Sequence, residues 1–475
     1  MKDFLPIYCL LVWALVCPAS WGDDGVLTLE QAVKETLSYN RDLLSARLNT
    51  ATSRQRLRQA KAEFDFSIRP DGRANAGDDR EDLAYGLGLR KRFSIGTDVN
   101  ALARYRLVSD DTNGIDQQES LLRVELSQPL FRNAGRLINL EPVVAGKQRV
   151  LAAERMFEVR KADLVLQTSE QFHAVKISER RLQIDLQAVD RLSDLARLTV
   201  ARERQSGGGS VDRLRTDLQV GQAQVRVANT REQLIADRQE LADLLGRSPE
   251  DFSIQLAPAE LSIIELPGME AAYRIALSNR LDYAQVLQEY EDAGRKEHIV
   301  RKSVWPDIRL TTAYEIRGVD EDFSNIRDSE DDDWFAGLTI GSDFNKTREK
   351  ADIAIAGTEV KLARIGIRDT EFRIARQVRD RLAGCRRSQA EYEISKRNAI
   401  LARDRLKLAR RLYTLGRGTN FDVVEAQDAF VSTELQKHES RADVSIATFR
   451  LLHAMGCLVD HPLYLKPGAV GEDGT

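Results

Sequence analysis

Two long stretches of the chain contain no proline, and this feature constrains the fold most strongly. No proline occurs between Pro142 and Pro249, and none occurs between Pro306 and Pro462. Because a proline inside a helix costs about 3 kcal/mol, such gaps permit very long helices. Both gaps are rich in Ala, Leu, Arg, Glu, Gln and Lys. A helix over residues 143–205 would be roughly 95 Å long, at about 1.5 Å per residue.

Apolar residues within these gaps recur at the spacing of a coiled coil. One series steps by seven residues: Val220, Val227, Leu234 and Leu241, with Ala223 and Leu244 between. Steps of four and three occur at Leu182, Leu186 and Val189, and again at Leu408, Leu412 and Leu415. Such seams pack against neighbouring helices. The alternative is amphipathic helices on a globular core, but the length and the doubling of the pattern favour a coiled coil.

Other segments alternate apolar and polar residues with a period of two, which predicts β-strands. Four candidates lie in the first half of the chain, over residues 64–74, 83–92, 97–107 and 120–130, with a tight turn at residues 94–97. Two more follow in the second half, over residues 308–316 and 334–340. One face of each is mostly apolar and the other is charged or small. A half-buried soluble sheet has this pattern, and so does a sheet between lipid and a water-filled lumen.

The first residues of the chain predict export. Lys2 precedes an apolar run over residues 4–16, and Ser20-Trp21-Gly22 fits a cleavage site before Asp23. Residues 1–22 are therefore predicted to be a signal peptide, with lipidation of Cys17 as the alternative. No later segment has 18 consecutive apolar residues, so the sequence predicts no transmembrane helix.

Charge and residue usage exclude several classes of function. The formal net charge of -4 argues against a general nucleic-acid binder. The mature chain keeps two distant cysteines, Cys385 and Cys457, which are expected to be small buried hydrophobic residues. The five histidines are scattered, and no phosphate-binding loop or nucleophile elbow occurs. The sequence thus predicts neither an enzyme nor a cofactor or metal site.

The chain also repeats its own order of elements. Residues 29–41 resemble residues 269–280, and each segment starts a predicted helix that is followed by a second helix and by strands. Each half continues with a long helix, a glycine-bearing break and another long helix. The breaks are residues 206–212 and 415–422, and they place Asp212 and Asp422 beside the start of the next helix, where the helix dipole favours an acid.

This order resembles the TolC-type outer-membrane factor family. Three stretches carry the resemblance: residues 27–32 (LTLEQA), residues 126–131 (LSQPLF) and residues 413–426 (YTLGRGTNFDVVEA). The last is the most specific and resembles the helix-turn-helix at the periplasmic tip of these proteins. The resemblance covers about residues 27–457. The sequence departs from the family in the number of strands, since the family usually has two strands per half and the first half here has up to four candidates.

The resemblance implies an α+β subunit of a homotrimeric channel. Three chains would share one transmembrane β-barrel in the outer-membrane lipid and one tunnel of long antiparallel coiled-coil helices in the periplasm. The channel would be an exit duct for efflux or type I secretion, working with a periplasmic adaptor and an inner-membrane pump. The predicted organisation follows the repeat: signal peptide 1–22, first repeat 23–245, connector 246–268, second repeat 269–457 and tail 458–475. The alternative is a periplasmic coiled-coil scaffold or adaptor without a barrel.

The resemblance also implies site residues at the tip. Asp422 and Glu425 match acidic residues that ring the pore constriction, although Asp422 could instead only cap its helix. Tyr413 and Asp212 match residues whose bonds hold the channel shut. The family's basic latch residue matches Gly418, so Arg417, one position earlier, is the candidate substitute.

Overall fold

The structure, a computed structural model, describes residues 26–76, 80–110, 115–206, 210–248, 255–258, 264–320 and 330–459. The predicted signal peptide, including Cys17, lies outside the described residues. So do the glycines of the first break, at residues 207–209, and parts of the predicted connector and tail.

Long helices dominate the described part of the chain. The helices are α1 (Leu29–Tyr39), α2 (Arg41–Ala62), α3 (Arg136–Asn139), α4 (Glu141–Ser206), α5 (Ser210–Leu245), α6 (Met269–Asn279), α7 (Leu281–Arg301), α8 (Thr347–Thr414) and α9 (Asn420–Ala454). The proline-free gaps therefore contain the longest helices, as predicted, and α4 covers the expected residues 143–205. None of these helices combines the length and the apolar character needed to cross a membrane.

The strands form one antiparallel sheet in the order in which they occur along the chain. They are β1 (Ser67–Ala76), β2 (Arg80–Arg92), β3 (Asp98–Asp110), β4 (Ile115–Pro129), β5 (Asp307–Asp320) and β6 (Glu330–Gly341). The four strands predicted in the first half are confirmed, and the second half adds two. Strands β4 and β5 come from different halves and pair directly. Within the described chain, β1 and β6 are the edges of the sheet.

Two local details of the sheet follow from backbone hydrogen bonds. The first strand begins at Ser67, not at residue 64, because the Phe64 and Asp65 N–H groups donate to carbonyls of the preceding helix. The predicted turn at residues 94–97 is confirmed. Gly96 has φ +96° and donates its N–H to the Phe93 carbonyl at 2.9 Å, which closes the turn between β2 and β3.

The long helices lie side by side in a single layer. At the end far from the sheet, α4 packs between α5 and α9, and α9 packs between α4 and α8. Nearer the sheet, α2 packs on α4, while α7 packs on both α4 and α8. The predicted seam on α5 faces α4, since Ala223, Leu234 and Leu241 are buried. Helices α5 and α8 are therefore the two edges of the layer at its far end.

The main core surrounds the middle of this layer, where the short helices α1 and α6 cover it. One cluster joins Val33 of α1, Ala272 of α6, Ile374 of α8 and Phe449 of α9. A second cluster lies under a parallel bridge between Leu27 and Leu256. Cys385 and Cys457 are buried, as predicted, and the Asn279 side chain donates to the Cys457 sulfur at 3.2 Å. We call this middle region the belt.

Two glycines make close junctions at the belt. Gly246 follows α5 with φ +75°, and a Cβ atom there would lie 2.7 Å from the Tyr39 carbonyl oxygen. Gly456 follows the end of α9 with φ +74°, and its Cβ would lie 3.0 Å from the carbonyl carbon of Asn279. Tyr39 ends α1 and Asn279 ends α6. The ends of α5 and α9 therefore need glycine, both for the left-handed backbone angle and because a side chain would not fit against the short helix.

We predict that Gly246→Ala destabilises the belt. The left-handed backbone costs about 1 kcal/mol for a residue with a side chain, and the contact with Tyr39 adds to this cost. Thermal unfolding of the detergent-solubilised protein, followed by circular dichroism, measures the loss. Gly384→Ala, inside α8 with open space around its Cβ, is the matched control and should stabilise slightly, by about 0.5–1 kcal/mol. Equal melting temperatures for the two variants would contradict this account of Gly246.

Candidate gate at the helix breaks

The two helix breaks meet at the end of the helical layer that lies farthest from the sheet. Helix α5 starts at Ser210, just after α4 ends, and α9 starts at Asn420, just after α8 ends. A small cluster joins the breaks: Leu195 of α4 packs with Tyr413 of α8 and with Val423 and Val424 of α9. We call this end of the layer the tip. It contains all five site residues predicted from the sequence.

The turn between α8 and α9 is tight and accounts for its glycines. Gly416 has φ +77°, and the Leu412 carbonyl accepts hydrogen bonds from the Arg417 and Gly418 N–H groups at 2.9 and 3.1 Å. This is a helix ending that favours glycine in the left-handed position. A Cβ atom on Gly418 would lie 3.1 Å from the Tyr413 backbone nitrogen. The packing of the turn therefore gives a physical reason for glycine at the position where the family has a basic residue.

Asn420 ties the second break to the first. Its side-chain Nδ2 donates to the Asp212 carbonyl oxygen at 3.1 Å and to the Thr216 hydroxyl at 2.8 Å. The Thr216 hydroxyl in turn donates to the same Asp212 carbonyl at 2.8 Å. Asn420 is 1% exposed, so these bonds are shielded from water. The sequence analysis did not identify Asn420 or Thr216, and the only available signal was an amide residue directly after a glycine turn.

Tyr413 connects α8 to α4. Its ring is buried in the tip cluster, and its hydroxyl lies 3.3 Å from the Thr199 hydroxyl. Thr199 donates to the Leu195 carbonyl one turn earlier, at 2.9 Å. A buried tyrosine hydroxyl normally finds such a partner, and here the partner belongs to a different helix. Tyr413 thus contributes to holding the two hairpins of one chain together.

The structure does not bring the carboxylate of Asp212 to Arg417 within one chain. The Asp212 carboxylate lies 3.7 Å from Arg215, one turn along α5. Arg417 is exposed on the turn and has no ion pair with any residue that the structure describes. A latch between these two side chains would have to form between subunits, and it stays a prediction.

The two predicted pore carboxylates differ in their partners. Asp422 closes a capping box: its Oδ2 accepts from the Thr419 N–H at 3.0 Å and from the Thr419 hydroxyl at 2.6 Å. These hydrogen bonds lower the pKa of the Asp422 carboxyl, which is therefore charged at neutral pH. Glu425 pairs with Arg405 of α8 at 3.0 Å, and both side chains are about half exposed. Asp422 is thus part of a helix cap. Its side chain is also exposed, as the predicted role at the pore constriction requires.

Among the residues that the structure describes, the tip shows no metal-binding cluster. No group of three or more His, Cys, Asp or Glu side chains that could hold a metal ion occurs among the described residues. What the tip offers chemically is fixed charge: Asp422 and Glu425 on one side of α9, with Arg405 and Arg417 nearby.

We predict that Asn420→Ala loosens the tip without unfolding the chain. Two buried hydrogen bonds are lost, which costs about 1–3 kcal/mol locally. Hydrogen exchange of the amides at the start of α5 should accelerate about tenfold or more. Asn420→Asp is a second test of the same bonds. It keeps the size of the side chain but replaces the donor with an acceptor facing the Asp212 carbonyl, and it should accelerate exchange at least as much. Unchanged exchange in both variants would show that these bonds do not hold the tip.

Comparison with known proteins agrees with this architecture. Residues 272–457 match the family model described as Outer membrane efflux protein. No curated protein sequence matches the chain. Solved structures with the same fold include the outer-membrane channel OprN, with a TM-score of 0.70 at 17% identity over 90% of this chain and 89% of that chain.

Two further structures with named organisms have the same fold. The outer membrane protein VceC of Vibrio cholerae has a TM-score of 0.70 at 16% identity over 90% of this chain and 96% of that chain. The open state of the MtrE outer membrane channel of Neisseria gonorrhoeae has a TM-score of 0.67 at 15% identity over 90% and 89% of the two chains. The resemblance inferred from the sequence is therefore confirmed: residues 272–457 match the outer membrane efflux protein model, and the chain has the fold of TolC-type outer-membrane channels, which are not enzymes.

Proposed function

We propose that the chain is one subunit of a homotrimeric outer-membrane channel, which acts as an exit duct for efflux or type I secretion. The family domain and the fold support this proposal. The observation that carries it is that both layers of the chain end in uncovered edges. A neighbouring copy of the chain would cover one edge of the sheet and one edge of the helical layer at the same time.

The edges of the helical layer each expose an apolar seam with a spacing of seven residues. On α5 the seam consists of Val211, Leu218 and Val225. On α8 it consists of Leu401 and Leu408, and it continues to Leu415, the residue that caps the helix. These six side chains are each between 59% and 67% exposed. Because both seams step by seven, an antiparallel pairing that sets Leu218 against Leu408 also sets the other four residues in two opposite pairs. Such matched seams are the pattern of a coiled-coil contact.

This match favours a closed ring of subunits. Helices α5 and α8 lie at opposite edges of one chain's layer, so the α5 seam of one copy would meet the α8 seam of the next. A contact of this head-to-tail kind closes into a ring if the rotation allows it. The family resemblance supplies the number three. The ring of long helices would be the wall of the periplasmic tunnel.

The sheet favours a channel over the alternative of a soluble scaffold or adaptor. Its one face exposes a broad apolar surface that includes Leu87, Leu122, Val124 and Leu338. The opposite face carries rows of arginines and carboxylates, such as Arg104 with Asp71. Large exposed apolar patches are rare on soluble monomers. An apolar face and a charged face on the same long strands are what a wall between lipid and a water-filled lumen requires.

The internal repeat is supported by the two glycine junctions. In each half, a long helix ends in a left-handed glycine that touches the end of a short helix, namely α1 for Gly246 and α6 for Gly456. We therefore place the first repeat at residues 23–245 and the second at residues 269–457, with the connector 246–268 between them.

The tip would be the gate of the duct. Within a subunit, Asn420 ties α9 to α5 and Tyr413 ties α8 to α4, so we expect the gate to open by movement between subunits. Of the three predicted latch residues, Asp212 and Arg417 are available for closing contacts between subunits, while Tyr413 joins α8 to α4 within each subunit. A surface ion pair contributes at most about 1 kcal/mol, which the binding of a periplasmic adaptor with its inner-membrane pump could replace. Asp422 and Glu425, each present three times, would form two acidic rings that favour cations.

We predict that a charge in the helical seam prevents assembly. Leu408→Glu would bury a carboxylate opposite Leu218 of the next subunit, and an unpaired buried charge costs several kcal/mol. Native mass spectrometry in detergent should then show monomers where the parent protein shows trimers. The matched control is Leu198→Gln on α4, because Leu198 is also half exposed but lies on an interior helix of the layer. If Leu408→Glu assembles as well as the control, the seam is not the subunit contact.

We predict that the tip carboxylates set ion selectivity. Asp422→Asn combined with Glu425→Gln removes six charges from a trimer and should weaken the preference for cations in planar-bilayer recordings. Arg405→Gln is the matched control with the opposite sign, since it frees Glu425 from its basic partner and should strengthen the preference. Selectivity that is unchanged in both variants would reduce Asp422 to a helix cap.

A further inference from the structure

The two halves of the chain contribute different numbers of strands to the sheet. The first half supplies β1 to β4 and the second half supplies β5 and β6, all in one six-stranded sheet. Two strands per half would give twelve strands in a trimer, whereas six per chain give eighteen. The strands are 10 to 15 residues long, and about 9–11 residues suffice to cross a bilayer. The extra hairpin is therefore long enough to be part of the wall.

The sheet is sheared in the way that a closed wall requires. Ser67 and Gly341 both lie at the end of the sheet that joins the helices. However, following paired residues across the sheet from Ser67 leads to Phe335, six residues before Gly341. The ladder thus shifts by about one residue per strand. With a rise of about 3.3 Å per residue and a spacing of about 4.8 Å between strands, this shift corresponds to a strand tilt of roughly 35°.

We propose that three chains close a single barrel of eighteen strands, in which β1 of one chain pairs with β6 of the next and Ser67 lies opposite Gly341. The inference rests on the trimer of the proposed function and adds the strand number and the register. At this tilt, eighteen strands enclose a backbone diameter of roughly 35 Å, against roughly 23 Å for twelve strands. The membrane part of the duct would then be wide, and the tip would be its narrowest point.

The apolar sides of the two edges match in this register. All ten residues of β1 find a partner on β6. Four of the five pairs on the apolar face are apolar: Ile68 with Ile340, Pro70 with Leu338, Gly72 with Ala336 and Ala74 with Trp334; the fifth, Ala76 with Asp332, lies at the end of the strands away from the helices. Trp334, the largest of these side chains, is 76% exposed in the single chain and would lie beside one of the smallest. Pro70 has no N–H group, so it donates nothing to the ladder on either side of β1.

The charged sides of the edges also complement each other. On the inner strands, arginines pair with carboxylates of adjacent strands: Arg106 lies 2.8 Å from Asp82, and Arg123 lies 3.6 Å from Glu315. At the edges, Arg73 of β1 and Asp333 of β6 have no ion pair with a described residue. The proposed register places them diagonally across the junction, within reach of a long side chain.

Paired cysteines test the junction in the full-length protein. Gly72→Cys combined with Ala336→Cys puts thiols opposite each other on different chains, and a Cβ at Gly72 meets no atom within 4 Å. Oxidation should give covalent dimers and trimers on non-reducing gels. Gly72→Cys combined with Leu338→Cys lies on the same face two residues out of register and is the matched control, which should crosslink far less. Each single variant controls for the buried Cys385 and Cys457.

The outcomes separate this inference from the proposed function. Crosslinks within single chains would mean that the sheet closes on itself, which overturns the eighteen-stranded barrel. A native trimer that gives no crosslink also overturns it, while the proposed channel stands. A parent protein that is monomeric by native mass spectrometry overturns both.

Charge reversal provides a second measurement that needs no disulfide. Arg73→Glu and Asp333→Arg should each lower the temperature at which trimers dissociate on gels, and the combined variant should restore it. Arg69→Glu is the matched control, because Arg69 would face Thr339 with no acid diagonal to it. An additive loss in the double variant would contradict the register.

Discussion

The architecture depends on edges that one chain cannot cover. A strand edge presents a row of unpaired N–H and C=O groups, and lipid offers no water to satisfy them. An exposed coiled-coil seam leaves apolar area in water in the same way. In this chain both kinds of edge occur on the same two sides, with β1 and α5 at one side and β6 and α8 at the other. A single rotation that brings copies together would therefore satisfy the sheet and the helices at once.

At the tip, the bonds inside the chain differ in kind from the groups at its surface. Bonds inside the chain, from Asn420 to the Asp212 carbonyl and from Tyr413 to Thr199, are buried and neutral. The charged groups, including Arg417 and Asp422, lie at the surface. Buried neutral bonds keep their strength in any salt, while exposed charges are screened and exchange partners easily. At the tip, the two hairpins of a subunit would thus move together, and their contacts with neighbouring subunits would be the adjustable part.

Sequence reasoning predicted the elements well because their signals are local. Missing prolines marked α4 and α8, and period-two alternation marked all four strands of the first half. The heptad spacing also identified the series that includes Leu408 and Leu415. However, heptad spacing cannot show whether such a seam is covered within the chain or left exposed. Asn420 and Arg405 were missed because their partners lie far away in sequence or on another helix. The start of β1 was misplaced because helix-like hydrogen bonds extend to Asp65.

Helix α8 runs without interruption from the sheet to the tip, over 68 residues. The belt core grips it between Ile374 and Cys385, which leaves about 30 residues, or roughly 45 Å, extending beyond this grip. Because α9 packs along α8 beyond the belt and Tyr413 joins α8 to α4 at the tip, these helices would swing together as one lever held at the belt. A tilt of about 10° at the belt would carry the far end by roughly 8 Å, while side chains at the pivot shift by less than the width of a methyl group. The belt could thus stay packed, and the membrane part undisturbed, while the far end swings through a distance comparable to the diameter of a hydrated ion.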